Sequence, residues 1–198
     1  ALVPALATSW SANDDATVWT FELRQGVRFH DGTPFDAEAV KFNIDRLNHA
    51  DNPAGNRADG KTFVMWDATF GGTIEGGSNL IADVEVVGEH TVRMSLTKPA
   101  PFLPALWAAV YFQFGSPAAI QAAGVNYGTP NAGAVGTGPF KFVEWIEGER
   151  VVLERNDDYW GGPAGVASVI FRGIQEPTAR LAELQAGTID VAVLLTSD

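Results

Sequence analysis

From Trp19 to Val40 the chain reads Trp-Thr-Phe-Glu-Leu-Arg-Gln-Gly-Val-Arg-Phe-His-Asp-Gly-Thr-Pro-Phe-Asp-Ala-Glu-Ala-Val, and few folds accept such a stretch. Val18, Thr20 and Glu22 fall on one face, and Trp19, Phe21 and Leu23 on the other. That period of two belongs to a half-buried β-strand. His30-Asp-Gly-Thr-Pro34 follows as a turn, where Gly32 can take a positive φ. Asp36 then stands as a helix N-cap, with Ala37, Val40, Ile44 and Leu47 behind it at spacings of three and four. The spacing predicts an amphipathic helix that buries one stripe and ends near His49, ahead of Asp51-Asn-Pro53. A strand and a helix that each bury one side call for a layered α/β fold, here read as mixed α+β with a mixed sheet and short helices.

The remaining chain carries more strands than helices. Residues 51–79 are the least regular, with Gly55, Gly60, Gly71, Gly72, Gly76 and Gly77 among Phe63, Trp66 and Phe70. A loop of that length is functional or mobile. Ile81–Val87 and Thr91–Thr97 read as a β-hairpin around Gly88-Glu89-His90. Pro99, Pro101 and Pro104 interrupt regular structure, and a short apolar helix is expected over Leu103–Val110. Pro117–Ala123 reads as a second short helix closed by Gly124. Asn126–Gly138 is turn-rich and reads as a linker between subdomains. Phe140–Trp145, Arg150–Arg155 and Ser168–Ile174 follow as strands, Thr178–Ala186 as a helix, and Ile189–Leu195 as a buried strand.

Charge and composition exclude several functions. The net charge is −11 and no run of Lys and Arg occurs, which disfavours nucleic acid and anionic membrane surfaces. Without cysteine there are no disulfides, no thiol chemistry and no Cys-based zinc site. No zinc spacing, dinucleotide fingerprint or Ser-His-Asp constellation appears, so no cofactor, metal ligand or catalytic residue is assigned. No apolar run approaches the roughly 20 residues of a membrane span. Ala1-Leu-Val-Pro-Ala-Leu lacks a basic n-region, so an export signal or lipid anchor would have to lie upstream of Ala1.

Three short motifs resemble chemical sites and read better as structure. His30-Asp31 are neighbours in a turn, and neighbours rarely converge on one atom; the Asp is expected to cap backbone amides. Gly136-Thr-Gly-Pro-Phe140 lacks the Lys and the following helix of a phosphate cradle, and Pro139 removes an N–H. Asp157-Asp158 cannot face each other across the roughly 5–10 Å gap that sugar cleavage needs. Aromatic side chains offer large contact area at low entropy cost. Those in irregular segments, Trp66, Phe70, Tyr111, Phe112 and Phe114, are therefore the candidate ligand contacts.

The Trp19–Val40 stretch, Gly136-Thr-Gly-Pro-Phe140, Asn156-Asp-Asp-Tyr-Trp-Gly-Gly162 and Ala186-Gly-Thr-Ile-Asp190 occur in an order that resembles one family. It is the extracytoplasmic solute-binding proteins of the oligopeptide, dipeptide and nickel ABC importers, family 5. The resemblance covers nearly the whole chain; residues 51–79 are its least distinctive part. It implies a two-lobed clamshell of the type II periplasmic-binding kind, of which this chain supplies part of the first lobe. Residues 1–117 resemble an extra subdomain of that lobe and residues 118–198 its central part, with the second lobe absent. In peptide binders of this kind the group gripping the peptide amino terminus comes from the second lobe, so no residue here takes that role. Val193 and Leu194 lie where the first lobe would offer main chain to the ligand.

The implied function is capture of a short peptide or similar small solute, delivered to ABC permease subunits outside the cytoplasmic membrane. The alternatives are a hydrolase acting through Asp31, Asp157 or Asp158, and a fragment that binds nothing by itself. Strand edges that other segments would cover predict self-association.

Overall fold

The computed structural model describes residues 2–193. Its elements in chain order are β1 (Ala7–Ala12), β2 (Val18–Leu23), α1 (Ala37–Asn48), α2 (Val64–Phe70), β3 (Ile81–Gly88) and β4 (Thr91–Leu96). There follow α3 (Leu103–Trp107), α4 (Pro117–Ala123), β5 (Phe140–Ile146), β6 (Arg150–Arg155), β7 (Ser168–Arg172) and α5 (Pro177–Gln185). The fold is mixed α and β with short helices. The mixed sheet expected from sequence resolves into two antiparallel ones, a four-stranded sheet ordered β1-β2-β4-β3 and a three-stranded meander β5-β6-β7.

The four-stranded sheet carries the core because its strands alternate cleanly. Trp19, Phe21 and Leu23 of β2 point the same way as Val92, Met94 and Leu96 of β4, and all six are buried. On β3, Ile81 and Val84 join them. α1 packs across β3 and β4, burying Ala37, Val40 and Ile44. Its start follows the sequence: the Asp36 carboxylate accepts from the Ala39 N–H at 2.9 Å, and Glu38 complements the positive end of the helix. His49 caps the other end with extended backbone.

α2 lies inside the stretch expected to be irregular. Seven residues are too few to establish a period, but Trp66 and Phe70, one turn apart, both reach the core. Gly71 ends the helix at φ 87°, where a Cβ would lie 2.2 Å from the Ser78 carbonyl oxygen. Only glycine fits that crossing without displacing backbone.

The segment expected to be a linker, 126–138, is irregular but tied down. Ser116 N–H donates to the Val135 carbonyl at 2.9 Å, and the Tyr127 hydroxyl bonds the Val135 carbonyl and N–H, each at 3.1 Å. Asn156 is buried below it, its Nδ2 donating to the Gly138 carbonyl at 3.1 Å. The expected buried strand at Ile189–Leu195 is corrected: residues 189–193 form no strand and Val191 and Val193 are exposed, while Leu194 and Leu195 lie outside the described residues. An apolar run becomes a strand only where a neighbour supplies the ladder.

Candidate functional site: an aromatic groove

Two concavities flank one wall of aromatic rings. The larger, about 640 Å³, lies between the sheets. Phe21, Leu23, Phe35 and Met94 line one side, and Phe140, Phe142 and Leu153 the other. The smaller is a groove of about 380 Å³ formed by α1, the entry to α2, and the 107–114 segment. Trp107, Phe112 and Phe114 line both, so they divide the two spaces. Both volumes fall within the ~300–1,000 Å³ usual for small-molecule sites.

The groove collects four of the sequence candidates. Trp66, Tyr111, Phe112 and Phe114 all line it. Trp66 contributes little surface, being buried with its ring centroid 4.5 Å from that of Phe70, 6.1 Å from Trp107 and 6.3 Å from Phe112. Phe70 is 1% exposed and lines neither space; its ring sits 5.2 Å from Trp107 and 5.0 Å from Phe112, as a support behind the wall. Tyr111, 62% exposed, stands at the rim. Val193, 67% exposed, lines neither space, and Leu194 is outside the described residues.

The wall is held in place by polar clamps. Asn43, buried on α1, accepts from the Gly115 N–H at 3.0 Å and donates to the Gly115 carbonyl at 2.8 Å and the Ala39 carbonyl at 2.9 Å. Asp31 binds the Ser116 hydroxyl, the Thr33 N–H at 3.0 Å and the Thr33 hydroxyl at 2.6 Å. Burial alone would raise its pKa, but those hydrogen bonds outweigh it and hold the carboxyl below the usual range. Asp31 thus caps a turn and staples it to the base of α4.

His30 makes the matching clamp one residue earlier. Its Nε2 faces the Gly138 carbonyl at 2.9 Å, and its Nδ1 faces the Gly136 N–H at 3.4 Å. A carbonyl only accepts and an N–H only donates. The neutral ring with its proton on Nε2 satisfies both. Burial pushes the pKa of His30 down, and Lys141 adds to this, against the Gly138 bond and the Asp31 charge. The Gly136-Thr-Gly-Pro139 turn is therefore a fastening point between the sheets. Asp157, by contrast, pairs with Arg155 at 2.7 Å on the surface.

Sequence reading did not single out Arg46. It lies between Asp45 and Leu47 on α1, at the border of the helix's apolar stripe, and is one of the residues lining the groove. Its ring neighbour is Phe63, 5.7 Å away, with Arg57 on the same ring at 5.1 Å. Lys61 comes close as well, donating to the Val125 carbonyl at 3.1 Å and to that of Tyr127.

The whole chain, residues 1–198, matches the bacterial extracellular solute-binding proteins, family 5, in their middle region. Among similar curated proteins, the dipeptide-binding protein of Escherichia coli K12 is 30% identical over 203 residues, covering 96% of this chain and 36% of the relative. Heme-binding protein A of Haemophilus influenzae is 32% identical over 198 residues, covering 95% and 35%. Among solved structures, the dipeptide-binding protein of Pseudoalteromonas sp. SM9913 in complex with Met-Leu superposes with a TM-score of 0.78 at 27% identity, covering 94% of this chain and 37% of that one. The periplasmic binding protein DppA of Helicobacter pylori in complex with the peptide STSA gives 0.75 at 30% identity, covering 94% and 37%. The chain thus spans about a third of the length of the relatives it matches. With a match that runs from its first residue to its last, this chain belongs to the bacterial extracellular solute-binding proteins of family 5.

Proposed function

We propose that this chain is part of the solute-capturing component of an ABC importer, working outside the cytoplasmic membrane. Its solute is a short peptide or a molecule of similar size, passed on to permease subunits. The observation that carries this reading is the family match along the entire chain, together with a formed groove of about 380 Å³ walled by aromatic rings. We assign residues 1–117 to an extra subdomain of the first lobe and residues 118–198 to the central part of that lobe, with the second lobe outside this chain. Support comes from the strand order, since among the described residues β1–β4 pair with one another and β5–β7 form a separate sheet. Trp66, Tyr111, Phe112 and Phe114 are the proposed ligand contacts; Phe70 backs them. Val193 and Leu194 are assigned by resemblance.

A titration of the purified chain with a dipeptide such as Met-Leu, followed by native mass spectrometry, tests the reading. A saturable complex of intact dipeptide is expected, and hydrolysed peptide would favour the enzyme alternative. Absence of any complex would place binding in the longer two-lobed protein rather than in this part of it.

Self-association belongs to the same proposal. The three-stranded sheet exposes Val143, Ile170 and Phe171, the last at 60%, beside open strand edges. Apolar surface next to unpaired backbone invites a second chain. Light scattering is expected to show mass rising with concentration; one monomeric species over a wide range would count against it.

A further inference from the structure

Of the nine arginines in the chain, eight have an anionic or carbonyl partner. Arg28, Arg24 and Arg180 donate to main-chain carbonyls, and Arg57, Arg93, Arg150, Arg155 and Arg172 pair with carboxylates. Arg46 has neither among the described residues, and its Nε is buried without a partner. Its cation rests on the Phe63 ring. Lys61 is a like charge acting on it, not a counter-ion. Nearby Asp67 is engaged by Arg57, which holds it with two nitrogens at 2.7 and 3.3 Å. Nearby Asp45 is engaged by Lys41 at 2.8 Å.

An arginine stays charged at any working pH, so burial cannot be relieved by losing the proton. Burial pushes the pKa of Arg46 downward, opposed only by the Tyr127 phenol. An uncompensated, partly buried guanidinium is a cost to the fold unless something supplies the missing charge. Its planar fork matches a carboxylate with two parallel hydrogen bonds. Arg46 lines the groove whose other walls include Trp66, Trp107, Tyr111 and Phe112. A net −11 chain that places Arg46 in an aromatic groove, with Lys61 near enough to act on it, selects against cationic solutes there.

We propose that the groove takes a small solute with a carboxylate on an apolar or aromatic body, and that Arg46 is the anchor for that carboxylate. This rests on the solute-binding reading and narrows it to a solute class and a residue. Phe63 holds the guanidinium in place, Lys61 adds positive potential, and the ring wall takes the apolar body.

The test uses 3-phenylpropionate and its neutral amide, 3-phenylpropanamide, titrated against the 198-residue chain by tryptophan fluorescence, since Trp66 and Trp107 line the groove. The carboxylate is expected to bind about tenfold or more tighter than the amide, the scale of a charged hydrogen-bonded pair. Its affinity, unlike that of the amide, should fall with added salt. Arg46→Met should erase the difference between the probes. Arg46→Lys, which keeps the charge and loses the fork, should fall between; circular dichroism checks that both variants fold. Equal binding of the two probes to the wild type overturns the anchor and leaves solute binding standing. Binding of neither probe, while Met-Leu still binds, overturns the groove assignment and again leaves the broader reading intact. A preference for the carboxylate that persists in Arg46→Met overturns the assignment to this residue.

Discussion

Phe70→Ala is expected to lower the stability of the chain by about 3–5 kcal/mol, the cost of emptying a large buried aromatic site. Phe70 is 1% exposed and touches three rings at once: Trp66, Trp107 and Phe112. Those rings come from α2, from α3 and from the segment after α3, so one side chain joins three pieces of chain that share no sheet. The hole could not close by a local shift, because Gly71 and the 78–80 backbone behind it are in tight contact; Leu80 N–H donates to the Phe70 carbonyl at 2.6 Å. Domains carry only about 5–15 kcal/mol in all. The variant should therefore unfold at markedly lower urea, by circular dichroism and tryptophan fluorescence alike. A loss below about 1 kcal/mol would mean that the ring cluster is not part of the core, against the scale expected for such a site.

Asn43→Leu should cost about 2–4 kcal/mol although leucine is the more apolar residue, because two main-chain groups lose their partners. Asn43 is buried, and its amide satisfies both the N–H and the carbonyl of Gly115. Water cannot replace it easily. Gly115 is itself packed so closely that a Cβ there would lie 2.3 Å from the Tyr127 hydroxyl oxygen. The substitution leaves a buried donor and a buried acceptor unpaired beside the groove. Hydrogen exchange of the Gly115 amide should speed up by more than exchange at the β2–β4 ladder. If stability is unchanged or higher, the clamp has no net value and the position is decided by packing alone. Since Asn43 also lines the groove, the variant should bind solute more weakly as the 112–115 segment loosens.

β2, α1 and the β3–β4 hairpin were legible because each signals itself over a short span: Trp19, Phe21 and Leu23 alternate, and Asp36 caps a helix with apolar residues at turn spacing. Pro117 and Gly124 bracket α4 in the same local way. β1 was not legible as a strand of its own. Ala-Thr-Ser-Trp-Ser-Ala has no alternation, and its backbone is extended because β2 offers it a partner. Ile189–Leu195 fails in the opposite sense: the apolar pattern is present, but over 189–193 no neighbouring strand pairs with it.

Chemical character and local periodicity belong to the residues themselves, and from them alone came the α and β elements other than β1 and α2, the acidic and cysteine-free composition, the resemblance to solute binders and the set of aromatic candidates. Burial and pairing belong to the packed chain. Only the tertiary structure separated Phe70, sealed behind the wall, from Tyr111 at its rim, although both are aromatics in irregular stretches. Only it showed that Arg57 has found a carboxylate and Arg46 has not. The reason is physical: what a side chain costs or contributes depends on the water it loses and the partners it gains, and both are set by residues distant in sequence.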